Sequence, residues 1–376
     1  MKKTVCILRS NPVRPDSRVE KEACALVDEG YAVKVLAWDR DSNHAPNDEM
    51  LELGKYRIPI TRLGHIASFG EGMKNLKSYL AFQLEMQRWL LKNRKSIDAV
   101  HACDFDTAWF SYPIAKLCKK KFVFDIFDFL YGEPHGFLQK SVKKAQCFLI
   151  NHSDATIICT DARKQQISGT KPKQLAVIEN TPSSELCNQA DGKMVVPSNR
   201  VKVAYVGILQ DYRLLPEILE YFAHHKEIEF HCGGFGKYED MFCKYSAKYD
   251  NIFFNGRLTY ADTIQLERDC DIMLAIYDPS LENHRMAAPN KFYESLMLGK
   301  PVIMVKGTGM ADEVERYGLG AIIEYSLDGF AQGIDELIGQ RAEFNDISLK
   351  ARALYRDCHS WDKMKGRLAA LYRSVL

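Results

Sequence analysis

The stretch PNKFYESLMLGKPVI, residues 289–303, reads as a turn at Pro289-Asn290, a helix from Lys291 to Leu298, a stop at Gly299 and a strand from Pro301 to Val305. Asn290 suits an N-cap, and Gly299 suits the left-handed residue that closes a helix. A helix that gives way within a few residues to a short apolar strand is the punctuation of a doubly wound α/β sheet. Lys291 and Glu294 are three apart and share one helix face. A lysine in the first turn opposes the positive end of the helix dipole, and broken local rules concentrate at functional sites. One reading is an exposed ion pair worth less than about 1 kcal/mol. The other is a phosphate-facing cation beside an acid that accepts hydrogen bonds from ribose hydroxyls.

The same punctuation runs through the chain. Strand candidates in the first half are 4–9, 32–38, 60–64, 98–103, 121–126, 155–160 and 175–180, with helices at 18–29 and 74–92 between them. Several are continuous apolar runs, as expected where helices cover both sheet faces. Residues 181–200 are polar, hold two prolines and read as a linker. Alternation restarts with strands at 201–207, 228–234, 251–256, 272–277, 301–305 and 320–325, and residues 347–376 are helical in pattern. The expected fold is α/β, with two Rossmann-like domains facing a central cleft. Their expected limits are 1–185, joined by a C-terminal helix (356–376) that crosses back, and 195–355.

The 376 residues exceed one typical core and accommodate two. Hydrophobic residues make up 46% and charged residues 27%, an ordinary globular composition, and a net charge of +2 argues against nucleic acid as a partner. The eleven cysteines are scattered without a CxxC pair, which excludes a secreted disulfide framework or a zinc module and indicates reduced thiols. The N-terminal apolar run Val5–Leu8 is too short for a signal peptide, and no segment reaches transmembrane length. A cytoplasmic protein is expected; the stretch 62–95 reads first as a core helix with a solvated face, and its alternative is peripheral contact at the inner face of the membrane. In that stretch Arg62, His65, Lys74, Lys77, Arg88, Lys92, Arg94 and Lys95 alternate with Phe69, Met73, Leu76, Tyr79, Leu80, Phe82 and Trp89.

These features resemble the family-4 retaining glycosyltransferases of GT-B fold. The resemblance rests on PNKFYESLMLGKPVI together with SRVEKEACALVDEGYAVKVLAW (17–38), IDAVHACD (97–104), VIEN (177–180), VAYVG (203–207) and the final helix with Trp361. It implies transfer of a sugar from a nucleoside diphosphate sugar, a UDP-sugar in preference to a GDP-sugar, without a metal or other cofactor. The implied acceptor is a glycan or lipid-linked hydroxyl in surface polysaccharide biosynthesis. Catalytic positions implied are His101, Asp104, Lys291 and Arg213, with a satisfied buried histidine as the alternative for His101. Donor-binding positions are Glu294, Asn290, Gly207 and Arg257, and the glycine-rich turns HCGGFG (231–236) and GTGMADEVE (307–315) add Gly234, Gly309 and Met310, where backbone can approach a phosphate or sugar closely. The loop after the first strand offers Arg9, Arg14 and Arg18, which suit an anionic or pyrophosphate-linked acceptor. Arg14, Arg18, Asp125 and Asp128 are expected at that acceptor. The alternatives for this loop and for Asp128 are helix caps, with Ser17 capping the first helix.

The chain departs from the family pattern at three places. Met286 stands where the first glutamate of the Glu-x7-Glu pair is expected, Ile208 replaces an arginine after Gly207, and Cys103 replaces the second histidine. These departures keep two alternatives open: a nucleotide-sugar 2-epimerase of the same fold, and a catalytically degenerate partner subunit.

Overall fold

The computed structural model describes residues 2–68, 72–131, 134–183, 194–195 and 198–376. The chain forms two units, Met1–Asn180 with Met364–Leu376, and Thr181–Lys363. The boundary falls a few residues before the limit expected from the sequence, and most of the proposed linker, 184–193 and 196–197, lies outside the described residues.

The first unit is an eight-stranded sheet of order β3-β4-β2-β1-β5-β6-β7-β8. Its strands are β1 Thr4–Arg9, β2 Ala32–Asp39, β3 His44–Leu53, β4 Tyr56–Gly64, β5 Ala99–Cys103, β6 Lys121–Ile126, β7 Ala155–Ile158 and β8 Leu175–Val177. All neighbours are parallel except β3 and β4. The helices are α1 Ser17–Asp28, α2 Leu76–Asn93, α3 Asp104–Leu117 and α4 Phe137–His152. The cap of α1 is Asp16, whose carboxylate accepts from the Val19 amide at 3.3 Å, so Ser17 is the first helical residue rather than the cap. The next helix after Asp128 is capped by Gly136, not by Asp128. Central strands read as apolar runs because both faces are covered; Val5 to Leu8 are fully buried.

The second unit is a six-stranded parallel sheet of order β11-β10-β9-β12-β13-β14. The strands are β9 Val201–Ile208, β10 Ile228–Phe235, β11 Ile252–Phe254, β12 Ile272–Ala275, β13 Val302–Val305 and β14 Gly320–Ile323. Between and after them lie α5 Leu215–His224, α6 Glu239–Lys248, α7 Tyr260–Asp269, α8 Glu282–Arg285, α9 Asn290–Leu298, α10 Ala311–Tyr317, α11 Leu327–Gly339 and α12 Phe344–Leu354. A turn at Tyr355–His359 leads to α13, Trp361–Val375, and from Met364 onward this last helix belongs to the first unit. It is tied there by the Glu179 amide, which donates to the Met364 sulfur at 3.2 Å.

The stretch 62–95 is mainly core. Phe82 is fully buried and stacks on Trp38 at 4.8 Å, and Arg62 is buried and bonded to Glu49 and the Pro12 carbonyl. Tyr79 and Trp89 are half-buried, while Phe69 and the Met73 side chain lie outside the described residues. These aromatics therefore fill the space between α2 and the sheet rather than facing outward. No helix among the described residues is long and apolar enough to cross a membrane.

Candidate functional site

Each sheet has one switch point, where the strand order reverses beside its first strand: β1 against β5, and β9 against β12. Ligands of doubly wound folds bind beyond the carboxyl ends of the strands at such points. The candidate residues of both units are sought there first.

In the second unit the site is built on α9. Pro289 precedes the helix and Asn290 is its first residue, exposed, so Asn290 does not serve as the cap expected from sequence. Gly299 ends the helix at φ 70°, the left-handed stop expected of it. Residues Phe292 to Leu298 are all buried, so α9 is a core helix and the solvated-pair reading of Lys291 and Glu294 fails. Glu294 is 3% exposed. The Tyr260 hydroxyl hydrogen-bonds it from the start of α7.

Lys291 turns toward the end of β9. Its Nζ lies 5.0 Å from the centre of the Tyr205 ring. A Cβ added to Gly207 would stand 2.7 Å from that Nζ, so the residue after Val206 has to be glycine for the lysine to lie there. Burial alone lowers an ammonium pKa, but Tyr277, Tyr205, Glu294 and Glu267 reverse this and hold Lys291 above the ordinary lysine value. Arg213 joins it from the loop after β9. Its guanidinium stacks 3.8 Å from the Tyr277 ring centre and its Nη1 is 3.3 Å from the His284 Nε2. Among the described residues neither Arg213 nor Lys291 has a carboxylate partner in an ion pair. Two cations thus gather on two tyrosines at the ends of β9 and β12.

Beneath them sits Glu267 of α7, 1% exposed, with its Oε2 lacking any hydrogen-bond partner. Burial first, and Glu294 second, push its carboxyl well above the ordinary value despite Lys291. Tyr205, Tyr277, Tyr260 and Glu267 escaped the sequence reading. Only Tyr205 had a local signal, two residues before Gly207 and so on the same strand face.

The remaining donor candidates are less central. Gly234 is needed because a Cβ there would stand 1.9 Å from the Gly207 carbonyl oxygen, and its amide donates to the Gly256 carbonyl at 2.7 Å. That explains the glycine by strand packing and leaves its N–H committed. Gly309 likewise lies against the Ala287 carbonyl and donates to the His284 carbonyl at 3.1 Å. The Met310 side chain is buried in the core beneath α10. Arg257 is exposed and stacks on Phe235, 4.0 Å away, at the β10–β11 side of the sheet.

In the first unit a cavity of about 570 Å³ opens beyond β1, β2, β5 and β6. Its walls include Arg9, Arg40, Asp41, Asp104, Asp106 and Asp128. Asp104 sits at φ 64°, a left-handed conformation that strains a residue with a side chain. Three groups hold it: the Phe127 and Asp128 amides at 2.9 and 3.1 Å, and Arg9 at 2.5 Å. Burial pushes the Asp104 carboxyl up to about 6, although Arg9 opposes this. Arg9 also bonds Asp16 at 2.8 Å and lies over the Phe127 ring. Asp128 is paired with Arg163 at 2.9 Å but remains exposed at the cavity wall.

Three expectations for this unit are corrected. His101 is 0% exposed; its Nδ1 is 2.7 Å from the Tyr372 hydroxyl and its Nε2 3.2 Å from Asp125. It fastens β5 to α13 and cannot reach a substrate. Arg18 and Asp125 are also buried, joined at 2.7 Å, and Arg18 donates to the Ile178 carbonyl at 2.9 Å. Burial would raise the Asp125 carboxyl, but Arg18 and His101 bring it below the ordinary value, while burial pushes neighbouring Glu22 well above its own. Arg14 is exposed but paired with Glu49 at 3.1 Å and near Asp39 at 3.7 Å. Arg9, Arg14 and Arg18 are thus all spent on carboxylates, and the loop does not present the free cations an anionic acceptor needs. Atoms of His101, Cys103 and Asp125 lie within 4.8 Å of one another, but the His101 nitrogens and the Asp125 carboxylate are already engaged by Tyr372, Arg18 and each other.

Comparison with known proteins agrees with this architecture. Residues 17–186 match the family model described as Glycosyltransferase Family 4. No curated protein sequence matches the chain significantly. Among solved structures, sucrose-phosphate synthase from Thermosynechococcus elongatus superposes with a TM-score of 0.76 at 13% identity, covering 99% of this chain and 98% of its own. HepE from Anabaena, solved with UDP and glucose, gives 0.71 at 14% identity over 99% and 100%. The trehalose-6-phosphate protein from E. coli bound with UDP-2-fluoro glucose gives 0.73 at 12% over 99% of each chain. Residues 17–186 are thus similar to glycosyltransferase family 4, and the fold of the whole chain is of the GT-B type.

Proposed function

We propose that this chain is a retaining, metal-independent glycosyltransferase. It moves a sugar from a nucleoside diphosphate sugar, a UDP-sugar in preference to a GDP-sugar, to a hydroxyl of a glycan or lipid-linked acceptor in cytoplasmic steps of surface polysaccharide biosynthesis. The observation that carries this reading is the pair of cations Lys291 and Arg213, which form no ion pair with a carboxylate among the described residues and are held over Tyr205 and Tyr277. In transfer from a sugar diphosphate, charge develops on the leaving diphosphate, and fixed cations in a site shielded from water stabilise it most. Glu294 beside them accepts hydrogen bonds from the donor ribose.

The carboxylates nearest Lys291 are Glu294 and Glu267, both buried. Neither presents the exposed nucleophile that a double displacement requires, so retention here calls for attack of the acceptor on the same face the diphosphate leaves. The first unit holds the acceptor. Its cavity sets four aspartates against two arginines, and Arg9 is already ion-paired. That balance suits hydroxyls of an uncharged sugar, which carboxylates bind as acceptors of O–H donors.

The test is a panel of UDP- and GDP-sugars with oligosaccharide and polyprenyl-linked acceptors, followed by UDP release and anomeric proton couplings of the product. Transfer with the donor's anomeric configuration kept is the expected result. An inverted product contradicts retention. A changed sugar without acceptor identifies an epimerase, and no turnover in the whole panel contradicts the enzymatic reading.

A further inference from the structure

The loop that carries Arg213 is strained. Its neighbours Tyr212 and Leu214 both adopt left-handed backbone, at φ 65° and 54°, which residues with side chains rarely do. Such strain persists only where the surrounding structure imposes it. Here the loop after β9 is fastened to the loop after β12. The Asp278 amide donates to the Tyr212 carbonyl at 3.1 Å. The Asp278 carbonyl lies 2.9 Å from Nδ1 of His284, on α8, and His284 Nε2 lies 3.3 Å from Arg213 Nη1. Tyr212, Asp278, His284 and Arg213 thus close a ring of contacts, and the Arg213 side chain is its last link.

The chemistry of its two partners fixes the state of His284. A carbonyl oxygen only accepts, so Nδ1 carries the proton. A guanidinium only donates and stays charged, so Nε2 offers its lone pair. The imidazole is therefore neutral and of one tautomer. It meets the Tyr277 ring edge-on at 5.3 Å, and the Arg213 guanidinium rests on that same ring at 3.8 Å. Tyr277 supports the face of the guanidinium, and His284 fixes its direction in the plane. A second proton on His284 would set N–H against N–H and cation against cation. Among the described residues, the charged groups that face His284 are Arg213 and Asp278, with Glu282 and Arg285 on its own helix. Burial, and then Arg213, hold its pKa below the ordinary histidine value against the Asp278 carbonyl and carboxylate.

We propose that His284 is the positioning residue of Arg213: its neutral ring accepts a guanidinium N–H and aims the cation at the donor diphosphate, and protonation of that ring releases it. The inference rests on the reading of Arg213 as part of the donor site. It makes donor affinity fall in acid by more than the titration of the diphosphate itself accounts for.

Calorimetric titration of UDP from about pH 8 to about pH 5 tests it. The proteins are wild type, His284→Gln, His284→Leu, Arg213→Ala, and Arg213→Ala combined with His284→Leu, with melting temperatures to verify folding. Glutamine keeps an acceptor near the place of Nε2 and does not titrate; leucine offers no acceptor. At the alkaline end the leucine variant should bind UDP about tenfold more weakly than wild type, and the glutamine variant within about twofold of it. Toward acid, wild type should lose about threefold or more affinity relative to the glutamine variant. On the Arg213→Ala background the leucine change should cost nothing further, because His284 acts through Arg213. If Arg213→Ala weakens UDP binding but the leucine change does not, or if the two effects add, the positioning role is overturned while the donor site stands. A wild type whose affinity relative to the glutamine variant stays flat or rises toward acid also overturns it, and this comparison holds even if the leucine variant does not fold. An Arg213→Ala protein that binds UDP as tightly as wild type overturns the donor reading of Arg213, and the proposal with it.

Discussion

The Nζ of Lys291 lies so close to Gly207 that a methyl group on that glycine would sit 2.7 Å from it. Helix α9 and strand β9 are thereby matched to one another: the helix supplies the cation, and the strand end supplies the space that aims it. Gly207 also has φ 157°, which L side chains rarely adopt. Gly207→Ala should therefore displace the ammonium as well as strain the turn, at about 1–3 kcal/mol. The expected outcome is a KM for the UDP-sugar raised roughly tenfold in a protein that still folds, measured by initial rates and circular dichroism. An unchanged KM would mean that Lys291 does not meet the donor in this pose.

The buried group of Arg18, Asp125, His101 and Tyr372 should behave as structure, not chemistry. Arg18→Ala leaves Asp125 charged in a dry interior and should cost about 3–5 kcal/mol. Tyr372→Phe removes one hydrogen bond from His101 and should cost about 1–2 kcal/mol. Urea unfolding measures both. Neither variant should alter the donor KM of the fraction that remains folded.

Asp104 gives a pH signature. Its carboxyl is raised from 3.8 to about 6 by burial, against Arg9. Between those values the folded state binds the proton more tightly than the unfolded chain, so the contribution of Asp104 to stability falls as pH rises through that window and is constant above it. Asp104→Asn has no such proton. The melting temperature of wild type minus that of the variant should decline from pH 4 to about pH 6 and then level off. A difference that stays flat across the window would contradict the raised value.

Most of the architecture was legible because parallel strands covered on both faces advertise themselves as apolar runs. Strand β3 was not. Its sequence HAPNDEMLEL is polar, and it pairs antiparallel at the sheet edge with no fully buried residue, so neither an apolar run nor a clean alternation marks it. At the site, Lys291 and Glu294 were legible because both lie on one short helix and their spacing fixes their shared face. His101, Arg18 and Asp125 were misassigned for the opposite reason. What makes them structural is a set of partners 24 to 271 residues away, and no local pattern distinguishes a buried charged group with distant partners from one facing a substrate. The same distance in sequence hid Glu267 and Tyr260 beside Glu294.

The donor site is tested most directly by calorimetric titration of UDP into wild type and Lys291→Ala. Charge-assisted hydrogen bonds to a diphosphate are worth about 1.5–3 kcal/mol, so the lysine variant should bind UDP roughly 10- to 150-fold more weakly while melting normally. If the variant binds UDP as tightly as wild type, the cations gathered at Tyr205 and Tyr277 are not the diphosphate site, and the assignment of the second unit as the donor domain fails.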